Sequence, residues 1–83
     1  MSQERVILRG RHQEAKNKRM DLEARISANL RAARLLLADV GLQPLERIDL
    51  DGCVVQLTEA QALMIELRET RALMAEIEDR LDG

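Results

Sequence analysis

The stretch Ile48–Met64, IDLDGCVVQLTEAQALM, decides the fold, because two structural periods meet inside it. Arg47-Ile48-Asp49-Leu50 alternates polar and apolar residues, Asp51-Gly52 is a favoured pair for a tight type I′ turn, and Cys53-Val54-Val55-Gln56-Leu57 is β-branched and alternating. This pattern predicts a β-hairpin. At Thr58 the period changes, and Gln61 three residues later completes a capping box, a helix-start signature. From Ala60 onward, Leu63, Leu67, Thr70, Met74, Ile77 and Leu81 recur at spacings of 3, 4, 3, 4, 3 and 4. That is the repeat of a coiled-coil seam, with Thr70 its weakest place.

On the N-terminal side, residues 2–40 contain no proline and only Gly10 as an internal weak point, so they predict one long helix. Its apolar stripe runs through Leu22, Ile26, Leu30, Ala33, Leu37 and Val40. Upstream the stripe continues as Leu8, His12, Ala15 and Arg19, half of it polar. Gly41 follows as a helix-ending residue, and Pro44 prevents the helix from resuming.

The expected fold is therefore mainly α: a long helix, a short β-hairpin and an antiparallel second helix, forming a helical hairpin with a coiled-coil-like seam. One domain, 1–83, divides into a basic N-terminal helical arm (1–16), the packing part of helix one (17–40), a β-hairpin connector (41–57) and helix two (58–82). The second helix is too short to reach the arm, so the arm is expected to lie unpaired. This order of elements resembles a shortened prefoldin-type subunit. The resemblance implies hairpins that assemble while coiled-coil arms reach outward.

Composition limits the core. The chain has 83 residues and no Phe, Tyr or Trp, so its core must be aliphatic. A single-chain core of this size is marginal, and oligomerisation is the simplest remedy. Consecutive apolar residues such as Leu35-Leu36-Leu37 and Leu63-Met64-Ile65 cannot all face one partner helix. A homo-oligomer, dimer or tetramer, is expected through Leu36, Leu37, Val54, Leu63, Ile65, Leu67, Met74 and Ile77.

Charge is uneven although the net is only −2. Arg5, Arg9, Arg11, Lys16, Lys18 and Arg19 stand against Glu4 and Glu14 in the first twenty residues, and the remainder is acidic. The six cations point to a basic surface for a protein partner or, alternatively, to phosphate binding by a small nucleic-acid-associated protein. A third reading is a regulatory adaptor that folds onto one protein partner.

Other functional classes find little support. One His (His12) and one Cys (Cys53) on different elements do not form a transition-metal ligand set, and Asp49 and Asp51 lack the calcium-loop series. No phosphate-binding glycine loop, nucleophile elbow or zinc-helix motif occurs, so neither enzyme nor cofactor is expected. The lone cysteine and the lack of a leader-like opening lead to the expectation of a cytoplasmic protein, and no apolar run reaches membrane-span length.

Overall fold

The computed structural model describes residues 2–83, so the first residue of the expected basic arm lies outside it. Two long helices, α1 (Ser2–Leu37) and α2 (Leu50–Asp82), are joined by a short connection containing a 3₁₀ turn at Leu45–Arg47. They pack antiparallel into a rod of 65 × 15 × 14 Å.

The expected β-hairpin is absent among the described residues. Residues 50–57 are instead the first two turns of α2, and the only β-type pairing is an isolated bridge between Val40 and Gln43. Two physical reasons account for the difference. First, Asp49 is the N-cap of α2, its Oδ1 accepting a hydrogen bond from the Gly52 amide at 2.9 Å. Asp51-Gly52 thus occupies the first helical turn rather than a hairpin turn, and a Cβ on residue 52 would collide with the capping carboxylate. Secondly, Cys53, Gln56 and Ala60 carry the spacing of 3 and 4 back from the seam, so helix formation here extends an interface that already exists. Val54 and Val55 cost a few tenths of a kcal/mol each in a helix, whereas a two-stranded hairpin on its own is marginal in water. The Thr58–Gln61 capping pair consequently lies inside the helix.

Without hairpin strands, the element order that resembled a prefoldin-type subunit is not present. α1 also ends earlier than residue 40. After Leu37 the chain tightens into turns in which the Val40 amide donates to the Leu37 carbonyl at 3.2 Å and the Leu42 amide to Asp39 at 2.9 Å. Gly41 then takes φ +89°, a left-handed conformation that suits glycine.

Because α2 starts at Leu50, its 33 residues run alongside all but about the first turn of the 36-residue α1. The N-terminal arm is therefore paired: Leu8 and Ala15 are buried, and the Arg5 guanidinium donates to the Leu81 carbonyl at 2.8 Å. The seam of α1 is Leu8, His12, Ala15, Arg19, Leu22, Ile26, Asn29, Ala33 and Leu36, every one buried or half-buried. That of α2 is Cys53, Gln56, Ala60, Leu63, Leu67, Thr70, Met74, Ile77 and Leu81. Both follow a strict 3.5-residue repeat, the signature of a two-helix seam. The contiguous core is Leu22, Ile26, Ala60, Leu63 and Leu67, with Leu22 only 2% exposed.

Candidate interaction surface

Labelling each repeat a to g with a and d in the seam places Leu22, Asn29 and Leu36 at d of α1 and Ile26 and Ala33 at a. In α2, Cys53, Ala60 and Leu67 fall at a, with Gln56 and Leu63 at d. Antiparallel helices juxtapose e with e on one side and g with g on the other, and the ion pairs fit this geometry. Glu23 and Arg71, both e, approach to 3.8 Å, and Lys18 and Glu66, both g, to 3.9 Å. His12 Nε2 lies 2.9 Å from Glu78 Oε1. With these contacts, Leu22 lies level with Leu67, Ile26 with Leu63, Asn29 with Ala60, Ala33 with Gln56 and Leu36 with Cys53.

The seam is therefore uneven. Its middle is leucine and isoleucine, but toward the turn it is filled by Asn29, Ala60, Ala33 and Gln56. The Asn29 Nδ2 atom is buried without a hydrogen-bond partner, as is Arg19 Nε, which sits 3.1 Å from Glu23 Oε1 without hydrogen-bond alignment. Thr70, by contrast, is satisfied inside its own helix, donating through Oγ1 to the Glu66 carbonyl at 2.8 Å.

The large side chains missing from the turn-half seam stand beside it. Leu30 and Leu37 at e of α1, and Leu50, Leu57 and Met64 at e of α2, are all exposed on one side of the hairpin, Leu30 by 45% and Leu50 by 61%. Exposed Val54, at b of α2, turns toward the same side. A groove of about 360 Å³ opens there, lined by Ile26, Leu30, Leu57, Ala60, Gln61, Met64, Ile65 and Arg68. On the opposite side the g positions at the same heights are Arg25, Ala32, Gly52, Glu59 and Glu66, and only Leu35 and Val55, at c, add exposed apolar surface there.

Of the residues expected at an oligomer interface, Leu63, Leu67, Met74 and Ile77 are buried in the intrachain seam, and Leu36 is half-buried there. Leu37, Val54 and Ile65 remain exposed. Leu30, Leu50, Leu57 and Met64 are the surface residues that sequence reasoning missed. Their signal was the step from Leu30 to Leu37 and from Leu50 through Leu57 to Met64 at intervals of seven.

Of the six expected phosphate-binding residues, Arg5, Arg9, Arg11, Lys16 and Lys18 are exposed, while Arg19 is half-buried in the seam. Arg5 and Lys18 are engaged by α2. Alongside them, residues 66–83 bring six carboxylates against three arginines, so the open end of the hairpin is close to neutral. Among the described residues no group of three or more His, Cys, Asp or Glu side chains could hold a metal ion, and Cys53 is buried. No described helix is long and apolar enough to cross a membrane.

No family model, curated protein or solved structure matches the chain.

Proposed function

We propose that this chain is a non-enzymatic helical interaction protein that assembles with copies of itself through the apolar side of its turn half and displays the open end of the hairpin to a protein partner. One observation carries the reading: the e positions of both helices are apolar in the turn half. A seam between two helices needs only a and d, whereas a helix facing a larger bundle core is apolar at a, d and e. The turn half is apolar at a and e, with Asn29 and Gln56 polar at d, and among the described residues no other element covers its e positions.

Surface area supports the same reading. The chain exposes 6508 Å², whereas a compact protein of 9.4 kDa exposes about 5,000 Å² by the usual mass scaling. The excess exceeds the roughly 800 Å² that each partner contributes to an ordinary stable interface. The radius of gyration, 18.9 Å, is likewise above the roughly 12 Å of a compact chain of this length.

Phosphate binding by the basic arm is less favoured, because the carboxylates of α2 lie beside it. The open end instead offers interleaved charges of both signs, suited to a protein surface of complementary pattern.

The experiment is native mass by light scattering after size exclusion for the wild type and for Leu30→Glu/Leu57→Glu. Two carboxylates on the apolar side should convert an oligomer to a folded monomer without loss of helicity. A wild type that is already a stable, well-folded monomer at micromolar concentration contradicts the proposal, as does an oligomer indifferent to the two substitutions.

A further inference from the structure

Resting on that reading, we infer that the occupant of the apolar side is a second copy related by a two-fold axis parallel to the helices, so that both turns lie at the same end and α1 of each protomer packs against α2 of the other. A two-fold dimer can bring these sides together in two ways. With the axis parallel to the rod, the turn halves coincide and each α1 lies over a neighbouring α2, antiparallel to it. With the axis perpendicular to the rod, the hairpins point in opposite directions and like helices face each other.

Apolar extent separates the two. The leucine-rich side is confined to the turn half, while the same side of the open half presents Arg9, Lys16 and Glu23 from α1 and Arg71 and Glu78 from α2 at e, with Val6 and Met20 its exposed apolar residues at b. In the same-end arrangement, apolar surface meets apolar surface along its whole length. Leu30 and Leu37 then fall at heights between those of Leu50, Leu57 and Met64, so that the two rows interleave. In the opposed arrangement, register can be centred on the leucines only by leaving both open halves without a neighbour, and any longer overlap lays leucines over charges, which are costly to desolvate.

Charge order points the same way. From the open end, α1 presents Arg9 and Lys16 and then Glu23. At the matching heights α2 presents Glu78 and then Arg71 and Arg68. The Glu23–Arg71 pair shows this complementarity operating within one chain. A two-fold axis parallel to the rod repeats it between chains, with Arg9 close to the height of the neighbour's carboxylate at 78 and Lys16 between the heights of that carboxylate and the neighbour's Arg71. The product is a four-helix bundle in the turn half, every adjacent pair antiparallel, which is a packing helix bundles commonly adopt.

The test is a distance between spin labels at Gln13→Cys, an exposed site in the open half. The background is Cys53→Ala, or Cys53→Val should that variant differ from wild type in helicity or mass. Same-end packing places the two labels about 20–30 Å apart, two or three helix diameters. Opposed packing centred on the leucines separates them by about 55 Å, from a rise of 1.5 Å per residue. A dimer with the short distance supports the inference. A dimer with the long distance overturns it while leaving self-assembly through the apolar side intact, and a monomer without dipolar coupling overturns both.

Discussion

The two halves of this rod are built on the same repeat but on different economies of apolar surface. In the middle and open half, Leu22, Ile26, Leu63, Leu67, Met74 and Ile77 are buried between the two helices, and the flanking e and g positions are charged apart from Leu73. In the turn half the seam holds Asn29, Ala33, Gln56 and Ala60, and the leucines stand outside it at Leu30, Leu37, Leu50 and Leu57. The first arrangement leaves few apolar side chains outside the two-helix seam. In the second, polar and small seam residues let the helices meet without using the large side chains, and these are what the proposed neighbour would cover. Burial in a single chain, rather than hydrophobicity of sequence, is what distinguishes the leucines that hold the fold from those left on its surface.

The largest expected effect sets the two halves directly against each other. Leu22→Ala removes the most buried side chain and should cost about 3 kcal/mol or more at any protein concentration, as buried leucine truncations do. For a chain of this size that approaches the whole stability. Leu57→Ala, from the exposed e position, should cost less, and its cost should grow with protein concentration as the oligomer becomes populated. Urea unfolding of both variants at two concentrations separated a hundredfold checks this. Equal and concentration-independent losses would mean that the two halves are not distinct.

A smaller effect tests whether the turn half is helical at all. Asp49→Ala removes the side-chain acceptor for the Gly52 amide and should cost about 1 kcal/mol, with fraying of residues 50–53 visible in backbone carbon shifts. Strand-like shifts over 53–57 in the wild type would restore the hairpin and remove the e-position alignment in α2.

How much of this was legible in the sequence follows from the length of each pattern. The repeat from Ala60 to Leu81 spans three heptads, and its spacing admits no strand period, so the second helix and its seam could be read directly. Residues 47–57 offered only short windows, in which alternation and a 3.5 repeat both fit. Gln56, polar at a seam position, concealed the continuity between Cys53 and Ala60. In α1 the path through Leu30 and Leu37 is the more apolar, yet the seam runs through Asn29 and Leu36, because a hydrophobic stripe is visible in one chain whereas the choice of seam depends on the partner helix. The same shortening of α2 made the basic arm look unpaired, although its Leu8 and Ala15 are covered. The interaction surface was legible only in part, since exposure of Leu30, Leu50 and Leu57 follows from which residues the seam leaves out.

The measurement that bears most directly on the account is sedimentation equilibrium of the wild type from low to high micromolar concentration, at low and high salt. The account predicts an assembly of at least twice the 9.4 kDa chain mass, a dimer in the two-fold arrangement, retained or strengthened at high salt because apolar burial holds it. A single 9.4 kDa species over the whole range would contradict it, and so would an assembly that dissolves as salt is raised.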